Sequence, residues 1–272
     1  MGSASEAAWR IGIPGHHGIV QQDEEIDSRV MDFFDRQWSS YRAIVEHDLM
    51  EHRAVAAATA VTIDAWLAAR PGHAPAATMV DLGCGDLALL APLLHRLPLG
   101  RYTGLDQAGV VLPLAQAALG EVPYPTQWLE GDLQAWAQGQ LDPPNATAAL
   151  QSTDILHSSF AIHHLNDQAK SSFLEAARRR INPNGLFIWV DVFREPGESR
   201  TAYIERYINR IRSGWHQLNA EQQDHVISHL TSCDLPADRE AITAAARAAG
   251  WQWQWAWQGA HQAEALAVLT PA

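Results

Sequence analysis

Two hydrophobic periods alternate along this chain. From Thr78 onward, short apolar runs of strand length are separated by stretches whose apolar residues recur every three or four positions. The runs 78–82, 101–106, 126–130, 154–160 and 186–192 predict strands. The last is nearly continuous in apolar residues, as in a parallel strand covered on both faces. Helical spacing follows at 87–97 (Leu87, Leu90, Leu93, Leu94, Leu97), at 110–119 and at 168–181, where Asn182-Pro183-Asn184-Gly185 predicts a turn. Upstream, residues 1–22 are irregular. Residues 23–70 carry a helical pattern that includes Trp38 and Tyr41, with a second helix at 52–69 stopped by Pro71-Gly72.

After the fifth strand the rhythm breaks. Two amphipathic helices, 201–218 and 220–230, read as an insertion, and a further helix spans 239–249. Trp251, Trp253, Trp255 and Trp257 then alternate with Gln and Ala, which predicts four indoles on one face of a strand. A cation-binding cage is one reading; packing against a helix is the favoured one, because pockets draw on several elements. A last strand covers 263–269. The pattern predicts an α/β fold with a doubly wound sheet, a helical cap at 1–75, and a core at 76–272 with a helical insertion at 194–249. It forms one structural unit, with ligands at the carboxyl ends of the strands.

Composition narrows the partners. The 272 residues suit one α/β unit, and a formal charge of −12 counts against nucleic acid or anionic membranes. Two cysteines suggest no disulfide framework and point to a reducing cytoplasm. No apolar run is long enough to span a membrane, and the start lacks a secretory pattern.

The chemistry concentrates at Val80-Asp81-Leu82-Gly83-Cys84-Gly85-Asp86, a strand running into a two-glycine turn. Gly83, Gly85 and Ala88 fit G-x-G-x-x-G/A, and Asp106 closes the next strand where an acid can hold ribose hydroxyls. NAD and S-adenosylmethionine both suit that layout. A pyrophosphate beside Asp81 and Asp86 would be repelled, whereas a sulfonium and an ammonium would be attracted, so S-adenosylmethionine is favoured.

These residues resemble the class I S-adenosylmethionine-dependent methyltransferases. Asp81-Leu82-Gly83-Cys84-Gly85 is similar to the family's first motif, and Leu105-Asp106 to its second-strand acid. Gly131-Asp132-Leu133 resembles the adenine-site motif. The stretch from Asp154 to Leu165, ending His163-His164-Leu165, resembles the fourth-strand motif, and residues 181–185 a turn in which Asn184 replaces a glycine.

The resemblance implies a Rossmann-like seven-stranded sheet in the order 3-2-1-4-5-7-6, strand 7 antiparallel. It also implies cofactor contacts from Asp81, Gly83, Gly85, Asp106, Gln107, Asp132, Leu133, Ser159 and Phe160. The expected reaction is methyl transfer to an oxygen or nitrogen of a small-molecule acceptor, leaving S-adenosylhomocysteine. His164 and Asp191 are the candidate proton acceptors, while His163 and Asp191 also admit structural roles. Trp38 and Tyr41 are candidates for the acceptor wall or for core. Asp191, Glu195 and Glu198 are too sparse to predict a metal. The competing readings are a NAD-dependent oxidoreductase and a non-catalytic S-adenosylmethionine-binding module.

Overall fold

Strand β5, Ile181–Arg194, is the spine of the sheet. Phe187, Trp189 and Phe193 enter one apolar layer, and Leu186, Ile188 and Val190 the other. That two-sided burial is what its apolar run predicts. The computed structural model describes residues 39–144 and 152–272. Trp38 and the rest of the first 38 residues of the expected cap lie outside the described residues.

The sheet order is β3 (Thr126–Glu130), β2 (Leu99–Asp106), β1 (Ala77–Leu82), β4 (Thr153–Ser159), β5, β8 (Glu264–Pro271), β7 (Trp251–Gln258). Strands β1 to β5 pair in parallel, and β8 runs antiparallel to both β5 and β7. This is the expected order with its one reversed strand. An additional strand, β6 (Ala237–Asp238), pairs with the end of β5; two residues are too few to register as a period.

Helices α1 (His52–Ala69), α2 (Ala91–Arg96) and α3 (Leu112–Leu119) cover one face through residues such as Ile63, Leu94 and Leu119. Helices α4 (Leu133–Ala137), α5 (Asp167–Arg178) and α8 (Arg239–Ala248) cover the other through Trp136, Phe173 and Ile242. A third apolar cluster joins the helical segment 39–46 to the inserted helices α6 (Arg200–Gly214) and α7 (Ala220–Ser232). It includes Val192 near the carboxyl end of β5, so these elements stand over the edge where ligands of such sheets bind.

Three local expectations change. The helix after the glycine turn begins at Ala91 instead of Leu87: Asp86 Oδ1 accepts from Ala88 N–H at 3.1 Å, Leu87 takes φ +58°, and Pro92 then starts the helix. The turn expected at 182–185 is absorbed into β5, with a register irregularity opposite Thr153–Ile155. Only three of the four alternating indoles share a face. A bulge between Trp255 and Trp257 turns Trp257 into the opposite layer, while Trp251, Trp253 and Trp255 pack with Phe187, Trp189 and Phe193.

Candidate active site

The glycine turn hangs from the end of β2. Gly83 and Cys84 both donate their N–H to the Leu105 carbonyl, at 2.8 and 2.9 Å. Gly83 has φ +74°, and a Cβ there would sit 2.4 Å from that of Ala161, so no larger residue fits; Gly85 has φ +55°. Asp106 braces this turn. Its Oδ2 accepts from Gly85 N–H and its Oδ1 from Ala108 N–H, each at 2.9 Å. Burial pushes the Asp106 carboxyl up, and those two N–H donors pull the other way.

Asp81 lies beneath the turn, buried, accepting from the Tyr102 hydroxyl at 3.0 Å and standing 2.7 Å from His157 Nδ1. Its charge is therefore already shared inside the protein. On the other side, Gly131 donates to the Asp106 carbonyl at 3.0 Å. Asp132 caps α4, with Oδ1 accepting from Gln134 and Ala135, and Leu133 is that helix's first residue. Gln107 is exposed beside Asp106. Asp132, Asp106, the Gly83–Gly85 turn and Ser159 thus follow one another along the carboxyl edge β3-β2-β1-β4.

Two adjoining cavities open at this edge. The smaller, ≈ 80 Å³, is lined by Asp81, Gly83, Gly85 and Ser159 together with Tyr41, His52 and Phe160. The larger, ≈ 280 Å³, shares Tyr41, His52 and Phe160. Phe160 has φ +54°, a costly conformation for a residue with a Cβ, and its N–H donates to the Val190 carbonyl at 3.0 Å. The buried His52 ring packs edge-on against it, 5.1 Å between centroids. Burial lowers the His52 imidazole to about 4, opposed by the charges of Asp48 and Glu264. Burial, then the charges of Asp86, Asp106 and Asp81, holds the Tyr41 phenol above its ordinary value.

The larger cavity has apolar walls from Ile44, Val192, Tyr203, Tyr207, Trp215 and Leu230, and a polar end from His163, His164, His229 and Asp234. His164 stands on that wall with its side chain 44 % accessible, the rest of the ring covered. Asp191 does not. It is 1 % exposed, and its oxygens accept from His163 N–H, Trp189 Nε1–H and Val192 N–H at 2.9 Å each, with His163 Nδ1 at 2.5 Å. As a direct proton acceptor Asp191 is therefore misplaced; it reaches the cavity only through His163. Burial alone would lower the His163 imidazole, but Asp191, helped by Asp234, pushes it up to about 10. His164 is lowered to about 4 by burial and then by the neighbouring His163 charge.

His229 and Asp234 were not legible from sequence, because the inserted α7 and the loop after it carry them 65 or more residues beyond His164. Tyr102 likewise carries no motif, whereas His157 lies within the fourth-strand stretch and His52, at the start of the second predicted helix, is among the residues the sequence offers as facing the ligand.

Residues 80–187 match the family model described as a methyltransferase domain. A trans-aconitate 2-methyltransferase of Azoarcus sp. (strain BH72) is 33% identical over 111 residues. That match spans 41% of this chain and 37% of the curated relative's length. Among solved structures, human N-acetylserotonin methyltransferase in complex with S-adenosylmethionine aligns with TM-score 0.52 at 15% identity, covering 88% of this chain and 56% of that one. CalS10, an amino pentose methyltransferase from Micromonospora echinaspora, aligns with TM-score 0.50 at 19% identity, covering 81% and 92%. The reversed β8 also departs from the all-parallel order of NAD-binding Rossmann sheets. Motif, strand order and sequence match agree over the part of the chain they cover: residues 80–187 are similar to a methyltransferase domain, and the sheet has the fold of the aligned methyltransferases.

Proposed function

We propose that this domain transfers a methyl group from S-adenosylmethionine to an oxygen or nitrogen of a small, largely apolar acceptor. The observation that carries the reading is the contact of the two cavities across Tyr41, His52 and Phe160, one on the glycine turn and the other walled by aromatic side chains.

On the donor side, Asp132 and Leu133 would take the adenine, Asp106 and Gln107 the ribose, and Gly83, Gly85, Ser159 and Phe160 the methionine part. Asp81 acts there through its charge, since its oxygens are already engaged. The cofactor, when bound, supplies a methyl group on a sulfonium. Transfer is a displacement in which the acceptor's lone pair forms the new bond, the carbon–sulfur bond breaks to leave the thioether, and the acceptor's proton leaves. Because the donor is already activated, the protein's work is positioning and exclusion of water. The histidine end of the larger cavity is where the acceptor's heteroatom would sit and its proton be received, with His164 foremost and Asp191 orienting His163.

The segment before β1 and the insertion after β5 form the acceptor's cover, with Tyr41 between donor and acceptor. The relative's name specifies trans-aconitate, a tricarboxylate. The aromatic and aliphatic walls here favour a neutral acceptor with one polar group instead. Two free cysteines and the charge of −12 support a cytoplasmic enzyme acting on small molecules, not nucleic acid. Among the described residues no helix is long and apolar enough to cross a membrane.

Calorimetric titration with S-adenosylmethionine, S-adenosylhomocysteine and NAD, followed by a screen of phenols and amines with methyl-labelled donor, tests this. Binding of the first two and labelling of an aromatic hydroxyl or amine are expected. Binding of NAD alone would establish the oxidoreductase reading. Donor binding with no labelling of any small molecule, cell extract included, would leave a non-catalytic module.

A further inference from the structure

We propose that His163, His164, His229 and Asp234 bind one divalent transition-metal cation, of the Zn²⁺ type, at the polar end of the larger cavity. One ligand atom from each lies within 4.8 Å of all the others. Asp234 Oδ1 is the focus: His229 Nε2 stands 3.4 Å from it, His163 Nε2 3.5 Å and His164 Nδ1 3.8 Å. Bonds of about 2.0–2.1 Å at a tetrahedral centre hold their donor atoms about 3.3–3.4 Å apart, so the His229 and His163 distances to Asp234 are nearly those of a coordination shell, and the rest of the set, within 4.8 Å, would draw in on binding. The spacing does not suit hydrogen bonds. Asp234 Oδ1 is buried and accepts none; three imidazole nitrogens face it, and a bound cation would take the place of the proton that His163 turns toward it.

The surroundings fix the ligands. His163 turns Nδ1 to Asp191, as metal-bound imidazoles turn their second nitrogen to a carboxylate, and so directs Nε2 at the cluster. The Asp234 loop is strapped down on both sides. Leu235 N–H donates to the His163 carbonyl at 2.8 Å, buried Lys170 Nζ donates to the carbonyls of Leu165 and Leu235, and Arg200 Nε donates to the Asp234 carbonyl at 2.8 Å. Three imidazoles and one carboxylate favour Zn²⁺, Co²⁺ or Ni²⁺ over Mg²⁺ or Ca²⁺. The sequence pattern predicts no metal here because the four ligands come from two distant segments. An ion in this place would pin the inserted α7 to the end of β4. It would also take over activation of an acceptor oxygen from His164; that last role rests on the methyl-transfer reading, whereas metal binding does not.

The test uses untagged, full-length, chelator-stripped protein. Titration with ZnCl₂ should show one site per chain, and CoCl₂ should give the visible absorption of four- or five-coordinate cobalt. His229→Ala, on an exposed part of α7, should weaken zinc binding at least tenfold, as should Asp234→Ala. His225→Ala, which alters the same cavity wall outside the cluster, should not. Saturating zinc should raise the melting temperature of the native protein and not of His229→Ala. Absence of stoichiometric binding, or equal weakening by His225→Ala and His229→Ala, overturns the site. S-adenosylmethionine titration of the same samples reports on the donor site separately. Donor binding without zinc binding would overturn the metal alone, and zinc binding without donor binding the methyl-transfer reading alone.

Discussion

His163 Nδ1 lies 2.5 Å from Asp191 Oδ1, and the two form a buried pair between the end of β4 and the end of β5. Asp191 also holds the Trp189 indole and two backbone N–H groups, and its carboxyl stays below the usual range despite its burial. Asp191→Ala would strand a buried imidazole and those donors. It should cost about 3–5 kcal/mol of unfolding free energy, the scale for breaking a buried pair from one side. Urea unfolding checks this; a loss under 1 kcal/mol would show that the pair is not what holds the two strand ends together.

Asp106 has two jobs in this structure, and a graded series separates them. Asp106→Asn keeps one acceptor oxygen for the backbone and removes the charge; Asp106→Ala removes both. With ribose bound by charge-assisted hydrogen bonds, Asp106→Ala should weaken S-adenosylmethionine binding by about 2–4 kcal/mol, more than tenfold in Kd, and Asp106→Asn by less. An unchanged Kd in folded Asp106→Ala would remove Asp106 from the cofactor site.

Gly85→Val tests the turn. At φ +55° a β-branched side chain is strained, and it would project toward the Tyr41 hydroxyl, 3.9 Å from where its Cβ would stand. Circular dichroism should remain native while S-adenosylmethionine binding disappears. Native affinity would place the cofactor elsewhere.

Tyr41 keeps 38 % of its surface exposed while its phenol end is buried beside Asp86 and Asp106, and it lines both cavities, which is the position of a wall and not of a core residue. Tyr41→Ala should lower the melting temperature little and raise the acceptor's KM several-fold, with a smaller effect on donor affinity. A large drop in melting temperature with unaltered acceptor KM would assign it to packing.

His52 sets an acid limb of stability. Its imidazole is buried, Nδ1 lacks a hydrogen-bond partner, and its folded value of about 4 lies below the ordinary 6.5. The unfolded chain therefore binds the extra proton first. Stability is complete above about pH 6.5 and falls as pH drops toward 4, by up to about 3 kcal/mol from this group. Melting temperature measured across that range should slope downward in the native protein, and the slope should flatten in His52→Leu. Identical slopes would locate the acid sensitivity in other groups.

The periodic pattern by itself determined the sheet strands β1 to β5, β7 and β8, helix α1 to the residue, the inserted helices and the glycine turn, because strand and helix periods are imposed locally by burial of one or both faces. The resemblance carried by the motifs supplied the order of the strands. Tertiary structure alone decided what local pattern does not encode. The bulge that sends Trp257 to the other layer depends on pairing with β8. The left-handed Phe160 is tolerated because its N–H is fixed to Val190 and its ring sits between two cavities. Asp191 sits at the carboxyl end of a strand, as its position in the sequence implies, but the packing of Trp189 and His163 closes it off. Asp234 meets His163, His164 and His229 only because backbone and lysine contacts fold its loop against the turn after β4, and such contacts between distant segments leave no periodic trace in the chain.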